Sequence, residues 1–222
     1  MQATTIRNED RDFPEWHRGR PRYALWALQF DTQALLPRMQ HVQCALADLL
    51  LPRYHRQPHV TLSLCGFPSN TPAHEDEFGP DLLGRQLQAL QAARPAAFDI
   101  DIGALDCFST VPYFAVHDRG GVLQDLHHRL RQTQAVHGQY TPHVTVGLFA
   151  DAYPLQTVQE RLRAVALPPP LRLPVTGLSL LTYAAAQIGG PLQCAASYRF
   201  ADQLLQWHEA PWFPLSEELL AQ

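Results

Sequence analysis

Gln57-Pro58-His59-Val60-Thr61-Leu62 and Thr141-Pro142-His143-Val144-Thr145-Val146 are two copies of one pattern, their histidines 84 residues apart (143 − 59). In each copy a proline precedes His-x-Thr, and polar and apolar residues then alternate with the period of a half-buried β-strand. Alternation predicts His59, Thr61 and Ser63 on one face of the first strand and Val60, Leu62 and Leu64 on the other. In the second, His143 and Thr145 oppose Val144, Val146 and Leu148. An imidazole and a hydroxyl so placed have Cα atoms ~6.5–7 Å apart, and both can reach one phosphate-sized group. With 11 histidines and 12 threonines in 222 residues, chance alone supplies ~0.6 His-x-Thr matches. Context must therefore decide.

Outward from the motifs, the chain repeats an order of elements. Tyr23 to Phe30 is an apolar run that reads as a strand, and Leu35, Met39, Val42, Leu46 and Leu49 recur at helical spacing until Pro52. The strand His59–Leu64 follows, then a loop over 67–80, a helix marked by Leu83, Leu87 and Leu90, and the alternating strand Phe98–Ile102. The second half repeats the order. Tyr113–His117 is a strand, Val122, Leu126 and Leu130 mark a helix, His143–Leu148 is a strand, Leu155, Val158, Leu162 and Val165 mark a helix, and one strand lies within Leu171–Tyr183. A duplicated β-α-β unit predicts an α+β fold with two lobes, pseudo-twofold symmetry and the motifs facing each other across a central cleft. The expected organisation is an N-terminal extension over 1–21, one bilobal domain over 22–203 with lobes near 22–110 and 111–203 and the strands exchanged between them left open, and a C-terminal tail over 204–222. Trp207, Trp212 and Phe213 of that tail are expected to pack on the body.

Composition narrows the function. At 46% hydrophobic and 17% charged residues the chain is globular. All 17 basic residues are arginine, against 21 acids, for a net charge of −4, which argues against gripping long nucleic acid by its phosphates. A single terminal phosphate is still a suitable target. Cys44, Cys65, Cys107 and Cys194 form no C-x-x-C pair and read as reduced, buried structural residues. No run of about 18 apolar residues or signal-like leader is present, so a cytoplasmic protein without membrane partners, and a monomer, is expected.

Two imidazoles meeting in one cleft suit phosphodiester hydrolysis, because one can take a proton from water while the other protonates the departing oxygen. An unperturbed pKa of ~6.5 lets both protonation states coexist near neutrality. The threonine hydroxyls can donate to the non-bridging phosphoryl oxygens. His55 and His59 are four apart, as metal ligands on a helix are, but Pro58 disfavours a helix there, so no metal is expected. No phosphate-binding G-x-x-x-x-G-K-[ST] loop is present, and no cofactor is expected. His127 and His128 read as a solvated helix face, and Arg18, Arg20 and Arg22 as a solvated linker or RNA contacts. The same cleft could instead belong to a non-catalytic module that recognises phosphorylated RNA ends or nucleotides.

The paired motifs, Pro58-His59-Val60-Thr61-Leu62 and Pro142-His143-Val144-Thr145-Val146, resemble the HxTx signatures of the two-histidine (2H) phosphoesterase superfamily. Within it the chain is most similar to the bacterial RNA 2′,3′-cyclic phosphodiesterases, historically named 2′-5′ RNA ligases, over most of residues 22–185. The resemblance implies metal-independent hydrolysis of 2′,3′-cyclic phosphates at RNA 3′ ends or small cyclic nucleotides, typically to 2′-phosphates, with reversible 2′-5′ joining in some members. It makes His59 and His143 the acid–base pair, with His143 as base and His59 as acid, and Thr61 and Thr145 the phosphate clamps. The chain departs from the pattern after the second motif, where Gly147-Leu148-Phe149-Ala150 lacks the arginine many such enzymes carry. Arg56 is the expected substitute, and Phe67, Phe149 and Tyr183 are candidate base-stacking residues.

Overall fold

Ala24 through Leu28 are buried in strand β1 (Arg22–Gln29), so this strand is covered on both faces and reads as a continuous apolar run rather than an alternating one. In the computed structural model, which describes residues 3–131 and 140–214, β1 is central to a six-stranded sheet. That sheet has the order β10-β9-β8-β1-β2-β3, with β2 (Thr61–Pro68), β3 (Glu77–Phe78), β8 (Gly177–Ala184), β9 (Gln193–Arg199) and β10 (Leu204–Trp207). The second sheet has four strands in the order β6-β5-β4-β7: β4 (Phe98–Cys107), β5 (Pro112–Asp118), β6 (His143–Thr145) and β7 (Leu171–Val175). The architecture is the expected two-lobed α+β fold.

The sheets do not divide the chain at residue 110. β4 precedes that point but pairs with β5 and β7, while β8 crosses back and runs antiparallel to β1 along its whole length, from Arg22 opposite Ala184 to Gln29 opposite Gly177. The single strand expected within Leu171–Tyr183 is therefore two, β7 and β8, one in each sheet. The termini also belong to the body. β10 is an integral strand, Trp212 and Phe213 pack edge-on against Phe78, and Thr4 bridges to Pro154. Residues 215–222 of the expected tail lie outside the described residues.

Five helices accompany the sheets among the described residues: α1 (Pro14–His17), α2 (Leu36–Ala45), α3 (Pro80–Ala93), α4 (Val122–Leu130) and α5 (Leu155–Ala164). Pro80 sits at the first turn of α3, where its missing N–H costs nothing. α2 ends at Ala45, before Pro52, although Leu46 and Leu49 beyond it stay in the core. The buried face of α4 is Leu123, Leu126 and Leu130, one position off the expected Val122 start. α4 packs on β2 and α5 on β4.

Two local departures from simple alternation have clear causes. Along β2, Ala27 of β1 opposes Thr61 but Trp26 opposes Ser63, so Leu62 is an extra residue in the ladder. This bulge inverts the pattern beyond it: Ser63 is buried and Leu64 is 56% exposed, the reverse of the expected faces. The regular ladder of β6 ends at Thr145, and the chain beyond it divides its bonds: Val146 N–H donates to the Pro112 carbonyl of β5, while Leu51 N–H, from the segment after α2, donates to the Leu148 carbonyl and Ala150 N–H to that of Leu49. Of the four free thiols, Cys65 is buried and Cys107 half-buried, but Cys44 and Cys194 are exposed, correcting the expectation that all were core residues. No helix among the described residues is long and apolar enough to cross a membrane.

Beneath β2 lies a buried polar knot. The fully buried Trp26 donates from Nε1 to Gln86 Oε1 at 2.9 Å. Gln86 Nε2 and Ser63 Oγ both donate to the carbonyl of Leu130, at 2.7 and 3.0 Å, and so satisfy an acceptor orphaned at the end of α4. Replacing Gln86 by alanine strands a buried indole donor and opens a hole in the knot. Gln86→Ala should destabilise the protein by about 2–4 kcal/mol, measured by urea unfolding.

Candidate active site

Both motifs open onto one cleft. His59 lies two residues before Thr61, which begins β2 opposite Ala27. On the other sheet β6 lies along β5, with His143 opposite Ala115 and Thr145 opposite Tyr113. His59, Thr61 and Thr145 line a single cavity of about 490 Å³ together with Arg56 and Tyr183. His143 lies two residues before Thr145 on β6 and so shares its face of the strand.

The two imidazoles are held in the same way. His59 Nδ1 lies 2.9 Å from the carbonyl oxygen of Gln57, and His143 Nδ1 lies 2.7 Å from that of Thr141. A carbonyl only accepts, so Nδ1 carries the hydrogen and Nε2 is the nitrogen left to take or give a proton. The intervening Pro58 and Pro142 fix their own φ and hold the preceding residue extended, which explains why each motif places a proline between the ring and the carbonyl it bonds. Around His143 the edge of Phe108 (5.0 Å between centroids) and the ring of Tyr113 (5.3 Å) limit its rotation.

The environments differ. Burial pushes His59 down to about 4, and the positive charges of Arg56 and His143 act in the same direction, opposed by the Gln57 carbonyl. Arg56 stacks its guanidinium over Tyr183, 4.1 Å from the ring centroid, and donates from Nε to the Gly190 carbonyl at 3.3 Å. It makes no salt bridge to a carboxylate among the described residues, which leaves its charge available to the cavity.

The motif strands are braced crosswise. α4, from the second half of the chain, sends His127 Nδ1 to within 2.6 Å of the Leu62 carbonyl. α2, from the first half, donates Gln43 Nε2 to the Val146 carbonyl at 2.9 Å. Leu62 and Val146 are both the third residue after their motif histidine, so the braces are pseudo-symmetric. Tyr140 adds to the first: its ring stacks on His127 at 4.1 Å and 3°, and its hydroxyl donates to the Thr61 carbonyl at 2.8 Å. His127 is thus not the solvated residue the sequence suggests, although His128 beside it is exposed.

Other expected contacts are not brought to the site. Phe67 and Phe149 are completely buried: Phe67 packs beneath Trp16, Tyr23 and the Arg20 guanidinium, and Phe149 bridges to Leu50. Arg20 makes two hydrogen bonds of 2.8 Å to Asp76, and Arg22 one of 2.9 Å to Glu209, so both are committed to ion pairs. Conversely, the cavity is lined by Phe13, Trp16 and Tyr54, which the strand patterns gave no reason to choose. The signal was present as two aromatics in an otherwise polar N-terminal segment. No group of three or more His, Cys, Asp or Glu side chains able to hold a metal occurs among the described residues.

Two sheets, one mixed and one antiparallel, thus each carry one His-x-Thr motif to a common cleft, the two-lobed arrangement expected of a duplicated unit. The family model of the 2′-5′ RNA ligase superfamily matches residues 32–187, and the chain belongs to that superfamily, the 2H phosphoesterases, as its motifs suggest. This makes it an enzyme of phosphoesterase or ligase type. Among solved structures, LigT of E. coli complexed with 3′-AMP is similar at a TM-score of 0.53 and 17% identity, over 81% of this chain and 98% of LigT. LigT complexed with ATP gives 0.49 and 17% over the same shares, and TT0787 of Thermus thermophilus gives 0.46 and 15% over 80% and 97%. No curated protein matches the sequence.

The depressed His59 has a consequence for stability. In the unfolded chain this imidazole takes its proton near ~6.5, but in the fold only near 4. Between these values the unfolded state binds more protons, so stability is lost as pH falls, by up to about 3 kcal/mol. Urea unfolding at pH 7.5 and pH 4.5 should show a larger loss for the wild type than for His59→Asn, which has no imidazole to titrate.

Proposed function

We propose that the protein hydrolyses a 2′,3′-cyclic phosphate at an RNA 3′ end or on a small nucleotide, without a metal ion, by acid–base catalysis from His59 and His143. The observation that carries this reading is the matched pair of imidazoles, each with Nδ1 tied to a carbonyl and Nε2 left to exchange a proton. Water attacks phosphorus as one Nε2 removes its proton. The bond from phosphorus to the ribose 3′ oxygen breaks, and the other imidazole delivers its proton to that oxygen, leaving a 2′-phosphate and a 3′ hydroxyl. Thr61 and Thr145 donate to the non-bridging oxygens as negative charge gathers there, and Arg56 supplies the cation that the stretch after the second motif lacks. Run in the same direction with a 5′ hydroxyl in place of water, the same proton transfers break the bond to the 3′ oxygen and join the ends through a 2′-5′ bond, and the reverse reaction cleaves that bond back to the cyclic phosphate.

His59, neutral at pH 7 because its ring is withdrawn from water, is ready to accept a proton, so it takes the role of base and His143 that of acid. This reverses the order drawn from the resemblance. A base works when deprotonated, so kcat/KM should fall on the acid side only as pH approaches about 4, the value for His59. An acid limb well above that value would overturn the assignment of His59 as base.

His59→Ala and His143→Ala should each lower kcat on adenosine 2′,3′-cyclic phosphate by about 10²–10⁴, the usual worth of a general acid or base, with EDTA leaving the wild-type rate unaltered. Tight binding of an end-phosphorylated oligonucleotide, kept in both variants and with no product over hours, would identify a binding module instead. Tyr140→Phe keeps the stack on His127 but frees the Thr61 carbonyl. It should reduce kcat several-fold with little change in KM, since it displaces a clamp of the developing charge rather than a binding contact.

A further inference from the structure

We propose that the N-terminal arm, residues 3–20, builds a nucleobase subsite beside the acid–base pair, with Trp16 and Phe13 as its aromatic surfaces. The inference deepens the phosphoesterase reading and rests on it for the position of the phosphate. The arm lies before the residues matched by the superfamily, 32–187.

The arm crosses the cleft between two fixed ends. At its start, Thr5 N–H donates to the Tyr153 carbonyl at 2.9 Å, Ile6 N–H to that of Ser109 at 2.7 Å, and Asn8 N–H to that of Phe149 at 3.0 Å. Asn8 Nδ2 adds a bond to Thr110 O at 2.8 Å. All four acceptors lie on the loops that precede β5 or follow β6. At its far end Trp16 packs on Tyr23 (5.2 Å between centroids) and Phe67 (5.0 Å) of the six-stranded sheet, and Arg20 grips Asp76. Phe13, between the two ends, and Trp16, at the second, line the same cavity as His59, Thr61 and Thr145.

The chemistry of that cavity is divided. A phosphate needs the hydroxyls, imidazoles and guanidinium at one end. It has no use for the apolar remainder, where Phe13 and Trp16 are joined by Val111, Leu148 and Ile188. Trp16 remains 39% exposed although Tyr23 and Phe67 cover part of it, and a large indole left open beside a reaction centre is an unfilled stacking surface. A planar base fits it, because aromatic rings stack on the π-face of any base without demanding its identity. Trp16, Tyr23 and Tyr183 form a row with centroid spacings of 5.2 and 5.6 Å, closed by Arg56 over Tyr183, so the stacking surface and the phosphate cation belong to one continuous wall. At about 490 Å³ the cavity falls in the range of small-molecule sites, which suits a nucleotide rather than a bare phosphate.

The test compares adenosine 2′,3′-cyclic phosphate with 1-O-methylribose 2,3-cyclic phosphate, which carries the same reacting group without a base. The wild type should favour the nucleoside through KM, and in Trp16→Ala that preference should fall roughly tenfold to a hundredfold. Phe13→Ala should reduce it less, because the Arg11 guanidinium already covers its ring at 3.8 Å. Trp16→Phe keeps an aromatic surface and the contacts with Tyr23 and Phe67, and should restore most of the preference. A preference that survives Trp16→Ala, or equal losses on both esters, would overturn the subsite. If the wild type opens neither ester, the hydrolase reading has failed, and equilibrium dialysis of adenosine 2′-phosphate against 1-O-methylribose 2-phosphate puts the same question to binding alone. There, a loss in Trp16→Ala confined to the nucleotide supports the subsite, and an equal or absent loss overturns it.

Discussion

Each motif strand is held from behind by a helix of the opposite half. His127 of α4 bonds the carbonyl three residues after His59, and Gln43 of α2 bonds the carbonyl three residues after His143. Acid–base catalysis across a cleft demands that two side chains on separate sheets keep a fixed separation, and errors of an ångström are costly. Independent lobes could not supply that constraint, since interfaces between separately folded bodies permit relative motion by default. The crossed braces, the return of β8 to β1 and the α4 carbonyl shared by Gln86 and Ser63 make the separation of the motifs a property of one core.

Local polarity then prepares the chemistry. A backbone carbonyl fixes the tautomer of each ring, and position in the cavity sets the proton affinity. The rings are alike in sequence and in hydrogen bonding but differ in surroundings: His59 lies near the positive charge of Arg56, whereas His143 is edged by Phe108 and Tyr113. The proposed division of the pair into acid and base rests on asymmetry of this kind.

Much of this was legible in the residues because the signals were periodic. Leu83, Leu87 and Leu90 foretold the buried face of α3, and the two His-x-Thr strands announced a shared cleft through their equal place in the element order. The rest was hidden for physical reasons. The bulge at Leu62 is a fact of pairing with Trp26, so alternation read past it put Ser63 and Leu64 on the wrong faces. The exchange of β4 and β8 between sheets depends on long-range pairing that no local pattern encodes. Phe67 and Phe149 look like cleft aromatics from their distance to the motifs, yet both are core. Trp16 sits in a polar segment with no periodicity to mark it.

The start of the arm is fastened by backbone and side chains together. The N–H groups of Thr5, Ile6 and Asn8 bond loop carbonyls, and the Thr5 hydroxyl and Asn8 amide bond the backbone of Asp151, Tyr153, Thr110 and Phe149. The stretch that follows is held by solvent-facing ion pairs, Arg11 with Glu9 and Arg53 with Asp10, which contribute little to the fold. Under the proposed subsite, changes in that stretch alter what the cleft accepts without touching the imidazoles, hydroxyls or braces, so a reaction centre held by the core is separated from a selector held at its edge.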